Sequence, residues 1–244
     1  MTALAKLTAV EAKLFLREGA TAFFGIAFPS LLLVVLGLIP ALRESSKDFG
    51  GLRFIDIFVP SLVVLTLAVL AVNTMPTRLT TYREKGILRR LSTTPVHPGK
   101  LLTAQVLINC VAALVAIALL VAVGRIVFDV PLPHHLFGFV AAVVVGGGSM
   151  FALGLLAAAT APTARSVALI ALPIYFVCMF FGGVFLPRIM LPDLVVTIGS
   201  YTPPGVQALQ DAWTGAGPQP LQLVIMAAVA AAAGLVAARI FRWE

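Results

Sequence analysis

The residues able to do chemistry in this chain are concentrated between Thr81 and Leu102, in the stretch TYREKGILRRLSTTPVHPGKLL. Arg83, Glu84, Lys85, Arg89, Arg90 and Lys100 lie there, in a protein whose charged residues are only 11% of the whole. Such groups make charge-assisted hydrogen bonds, bind anionic lipid or hold a partner surface, and they are excluded from hydrocarbon. A second candidate, Gly147-Gly148-Ser149-Met150, has the G-x-S-x form of an intramembrane serine nucleophile, which needs a histidine base on a later span. His97, His134 and His135 all fall in connections, so Ser149 has no base. Gly146, Gly147, Gly148, Ala152, Gly154 and Ala158 read instead as a surface that lets a neighbouring helix come close, as do Ala230, Gly234 and Ala238. No acidic or His/Cys cluster has metal-ligand spacing. With the spans placed as below, no carboxylate lies inside one, which disfavours an ion-coupled carrier.

The elements that position these residues must be membrane helices. The chain has 244 residues, 60% of them hydrophobic, and a mean hydropathy of +1.06. With several apolar runs near 20 residues, this describes an all-α integral membrane protein forming a single domain over 1–244. The net charge of +7 is spread over connections, with its one cluster between spans, so it speaks for loop orientation and not for nucleic acid. Cys110 and Cys178 fall within apolar runs, where a thiol acts as a small packing residue.

In chain order, residues 1–20 are too polar to span; Leu4, Leu7, Leu14 and Phe15 recur at helical spacing opposite Lys6, Lys13 and Arg17, which predicts an interfacial helix. Six spans follow at about 21–41, 57–75, 101–123, 136–159, 167–186 and 221–238. Pro29 predicts a kink in the first. Within the charged stretch, Glu84 to Leu91 predicts a short amphipathic surface helix, with Ile87, Leu88 and Leu91 on its apolar side and Pro95 and Pro98 ending it. Six spans put both termini on one side, which then carries twelve of the seventeen Lys and Arg, against five on the other. The termini are therefore expected to be cytoplasmic.

Between the last two spans, Pro187 to Pro220 is mostly apolar but broken by Pro192, Pro203 and Pro204. Two short helices dipping into the outer leaflet fit it, the second from near Pro204 to about Gly215, with Tyr201 and Trp213 at the interface; a loop packed over the bundle top is the alternative. Asn73, on the second span, must find a partner at depth, either another helix or a cavity. Tyr175, Phe176, Met179 and Phe180 make the fifth span the most aromatic, suited either to lipid and bundle packing or to a path for an amphipathic solute.

Tyr82-Arg83-Glu84-Lys85-Gly86, then Leu91, Thr94-Pro95 and Gly99-Lys100 before an apolar span, resembles the cytoplasmic motif of type-2 ABC export permeases such as daunorubicin-resistance permeases. The likeness covers nearly the whole chain, from the amphipathic start to the Pro-rich segment before the last span. It implies a permease subunit that carries drug-like or lipid-like solutes out of the cytoplasm, multi-pass in a bacterial cell membrane, with no cofactor of its own. No G-x-x-x-x-G-K-[ST] is present, so catalysis, with its ATP and Mg, is expected on a separate ABC ATPase subunit, two copies serving two permease chains as a homo- or heterodimer. The resemblance makes Arg83, Glu84, Lys85, Gly86, Arg89, Arg90 and Leu91 the expected coupling surface for that ATPase; the alternative for the cations is that they fix topology and bind membrane lipids. A membrane scaffold or sensor attached to an ATPase is the second reading of the chain, and a secondary carrier the third.

Overall fold

A computed structural model of the chain describes residues 3–49, 51–92, 99–185, 190–215 and 217–241. It is 83% helical, with no strand among the described residues. In order the helices are α1 (Ala3–Arg17), α2 (Gly19–Gly37), α3 (Phe54–Glu84), α4 (Ile87–Ser92), α5 (Gly99–Phe128), α6 (Leu136–Thr160), α7 (Ala164–Phe181), α8 (Asp193–Ser200), α9 (Val206–Thr214) and α10 (Pro220–Ile240). Six of them, α2, α3, α5, α6, α7 and α10, are long and apolar enough to cross a membrane.

Helix α3 is the axis of the bundle. Its most apolar window is 89% buried, whereas α2, α7 and α10 reach only 22%, and Leu62, Leu67, Leu70, Met75 and Leu79 are enclosed. Around it pack α2, α5, α6 and α7; α10 runs along α6, α1 lies on α5, and α9 touches α3 and α6 at the other end. The helix outruns the expected span. Its 31 residues reach about 46 Å at 1.5 Å per residue, well beyond a hydrocarbon core of about 30 Å. It therefore carries the first charges of the central stretch outward without a break: Asp56, expected in a connection, and Glu84, expected to open a separate surface helix, both belong to it. The surface helix expected from Glu84 shrinks to the six residues of α4.

The prolines act on helix pitch. Pro29 has no N–H for the carbonyl four residues earlier, and the helix widens over Phe23–Ala27 into a π turn just before it. A second wide turn, over Val69–Thr74, precedes Pro76 in the same way; it was not anticipated. The two wide turns pack against each other.

Small residues on α6 set how close its neighbours come. A Cβ on Gly154 would overlap the carbonyl oxygen of Ala71 in the wide turn of α3, and one on Gly146 would overlap that of Pro204, ahead of α9. Segment 190–215 is thus held against the bundle. Trp213, expected at an interface, is buried, edge-on to Phe139 at 5.4 Å, and His135 Nε2 lies 2.7 Å from the carbonyl oxygen of Gly215. Ser149 is enclosed as well, its hydroxyl donating to Gly146 O of its own helix at 2.6 Å, which leaves nothing for a nucleophile to do.

Overpacking against backbone costs about 1–3 kcal/mol. Gly154→Ala is therefore expected to lower the melting temperature of the purified chain in detergent by several degrees. Gly148→Ala, which faces open space, should leave it unchanged or slightly raised, because alanine is the better helix former. Equal behaviour of the two variants would contradict the close approach.

Candidate functional site

Two polar clusters and one cavity meet at the end of the bundle where α1, α4 and the last turns of α3 lie, here called the basic end. The first cluster uses the predicted motif. Arg83 donates from Nη1 to Ala158 O at 3.1 Å and Ala161 O at 2.8 Å, closing off the carbonyl end of α6, with its guanidinium 5.0 Å from the Phe241 ring. Glu84 Oε1 accepts the backbone N–H of Ala164, the first residue of α7, at 3.1 Å; the rest of that helix start is closed by a capping box between Thr163 and Ser166. A cation thus meets the negative end of one helix and an anion the positive start of the next, as the helix dipoles favour. Two of the residues expected to touch a partner are bonded within the chain, and they fasten the end of α3 to the ends of α6 and α7.

Lys85 ends α3 and Gly86, at φ +65°, turns the chain into α4, a conformation that costs other residues more. On α4 Leu88 is buried while Arg89 and Arg90 are exposed. The side chain of Leu91 and residues 93–98, with Pro95, His97 and Pro98, lie outside the described residues.

The second cluster was missed by the sequence reading. Glu11 sits on the apolar side of α1 and is buried. Its carboxylate accepts the Tyr82 hydroxyl at 2.9 Å and the side-chain amide of Gln105 on α5, and lies 3.8 Å from the guanidinium of Arg78. Arg78, 6% exposed, reaches Glu18 at 2.7 Å on its other side and stands 5.9 Å over the buried ring of Phe15. Three helices therefore converge on one carboxylate. The signal was present: Glu11 is four residues from Phe15, an acid on an otherwise apolar face.

Beside Arg78 a cavity of about 370 Å³ opens between α2 and α3. Asn73, Thr77, Thr81 and Lys85 line it, each four residues after the last, so they form one stripe along α3 from the wide turn to the basic end. Asn73 is exposed and faces this cavity. Glu18, Thr21, Arg78 and Tyr82 add polar walls, and Phe24 and Val69, with the small Ala20, are its apolar part. The aromatic residues of α7 do not join it. Met179 is buried, Tyr175 half-buried, and Phe176 and Phe180 exposed, Phe176 stacking on Phe185 at 5.9 Å.

Burial is the largest influence on Glu11 and pushes its carboxyl above the ordinary range, against the pull of Tyr82, Arg78 and Gln105. The group thus holds its proton more tightly docked than free. Its contribution to docking is complete below a pH of about 4.5, its ordinary value, and is lost as the pH rises through the docked value. Hydrogen exchange of the α1 amides, corrected for the intrinsic rate, should show protection falling over that window. Glu11→Gln should abolish the dependence, and an unchanged slope in that variant would place its origin elsewhere.

Comparison with known protein families matches residues 2–212 to the ABC-2 type transporter family. No curated protein and no solved structure matches the chain. The match runs from α1 into α9, taking in the motif at the end of α3, both polar clusters and the cavity beside them. This chain belongs to the ABC-2 type transporter family and is a multi-pass membrane component of an ABC transporter, the permease part that works with an ABC ATPase.

Proposed function

We propose that this chain is the permease of an exporter that takes an amphipathic solute from the cytoplasmic side through the cavity between α2 and α3, driven by ATP hydrolysis on its partner ATPase. The observation that carries the reading is the stripe Asn73, Thr77, Thr81, Lys85, which leaves polar groups facing a cavity on a helix otherwise enclosed in apolar packing. Polar groups at that depth are retained where water or a solute must pass. Two ATPase subunits and two permease chains make the assembly, in a bacterial cell membrane with both termini inside.

The coupling route follows from the first cluster. A push on α4 and Lys85 reaches Arg83 and Glu84, which are bonded to the ends of α6 and α7, so three helix ends shift as one unit beside the cavity. The partner's contact then falls on Lys85, Gly86, Arg89, Arg90 and Leu91, while Arg83 and Glu84 transmit. ATP and Mg bind only the partner.

Thr77→Trp places an indole in the cavity and is expected to reduce ATP-dependent transport by inverted vesicles more than ten-fold, with the ATPase still co-purifying. Phe176→Ala on α7 should change it less than two-fold. Transport that survives the first substitution and fails in the second would move the path to the aromatic helix.

For orientation, a cysteine at position 92 should resist an impermeant maleimide in intact cells and one at 207 should react. The reverse pattern would invert the topology.

A further inference from the structure

The two acids beside Arg78 are not equivalent. Glu11 stands behind it, 4% exposed and committed to Tyr82 and Gln105 as well. Glu18 stands in front at the break between α1 and α2, with its side chain 56% exposed, and its other bond is one Thr21 hydroxyl at 3.2 Å. Arg78 itself is 6% exposed, a guanidinium with five N–H donors and no acceptor. Its nearer anion is therefore the loosely held one, and that anion lies on the wall of the cavity.

We infer that Glu18 occupies the place of an acidic group of the solute, and that the cavity between α2 and α3 is a binding site for an amphiphile with a phosphate or carboxylate head. The head exchanges with Glu18 on Arg78, Lys85 adds a second cation at the rim, and Thr77, Thr81 and Asn73 supply hydrogen bonds along the stripe. The chain of the amphiphile lies toward Phe24 and Val69, which belong to the wide turns farther from the basic end. A buried guanidinium is a poor neighbour for anything that removes its counter-ion without replacing it. A cationic head is refused twice over, by Arg78 and by Lys85, so the same charges that admit an acid select against a base.

The inference rests on the cavity being the solute's site, and its test needs neither ATP nor the ATPase. Binding of radiolabelled dodecyl phosphate to the full chain in phosphatidylcholine nanodiscs, corrected with empty discs, is compared with that of dodecyltrimethylammonium and of inorganic phosphate. Dodecyl phosphate should bind at least ten-fold more tightly than either. Glu18→Gln, by removing the internal competitor, should tighten dodecyl phosphate about ten-fold, and Lys85→Gln should weaken it several-fold. Thr21→Val, which frees Glu18 from its hydroxyl, gives a second variant and should also tighten binding. Equal or better binding of the ammonium, weaker binding by Glu18→Gln, or inorganic phosphate binding as well as the amphiphile would each overturn the assignment. Failure here with transport still blocked by Thr77→Trp would leave the path standing and discard only the acidic head.

Discussion

A guanidinium that is 6% exposed in an apolar bundle has to be answered by acids, and much of the basic end is arranged around doing so for Arg78. One acid comes from the middle of α1 and the other from the break after it, so the chain's first two helices are placed by a residue of the third. Phe15 beneath the guanidinium and Gln105 beside the carboxylate extend the arrangement to the apolar side of α1 and to α5. The N-terminal helix is thereby fixed by charge as well as by its apolar stripe. Loss of Arg78 would leave the buried Glu11 without its cation, a situation that typically costs about 3–5 kcal/mol, whereas loss of Glu11 would still leave Glu18 on the guanidinium.

The same economy governs the end of α3. Because the helix continues unbroken from the bilayer to Glu84, the motif residues that follow the apolar part point in several directions around one rigid rod. Tyr82 faces α1, Arg83 the end of α6 and Glu84 the start of α7. Membership of the ABC-2 family implies an ATPase on this protein, and the rod joins the wall of the cavity to the ends of α6 and α7, to which Arg83 and Glu84 are bonded.

Much of this was legible in the residues. Six apolar runs and the position of the charged stretch follow from local composition; Pro29 marks a local disturbance of its helix, which takes the form of a wide turn before it. The length of α3 was not, because charges at Arg78 and Arg83 look like the end of a span when their partners are unknown. Those partners are 67 residues away for Arg78 with Glu11 and 78 for Arg83 with Ala161, and hydropathy at a single position carries no record of pairing at such distances. Two signals could have been read. An acid on the apolar face of α1 demands a buried cation, and four polar residues at intervals of four on α3 mark one face of that helix. The aromatic residues of α7 stand out by composition, and Phe176 and Phe180 lie on the outer surface of the single chain.

The wide turns before Pro29 and Pro76 have a further consequence. Each holds one residue more than the ordinary helical pitch requires, and each contributes to the cavity wall, through Phe24 on one side and Val69, Asn73 and Thr74 on the other. A helix that gives up such a residue turns everything beyond it by about 100° relative to what precedes it. For α3 the beyond is the stripe from Thr77 to Lys85, together with Arg83 and Glu84 on its last turn. Rotation of this part would carry its polar face off the cavity and swing the rod's far end across the ends of α6 and α7, so the pitch of two turns at mid-bundle and the posture of the basic end are a single mechanical variable.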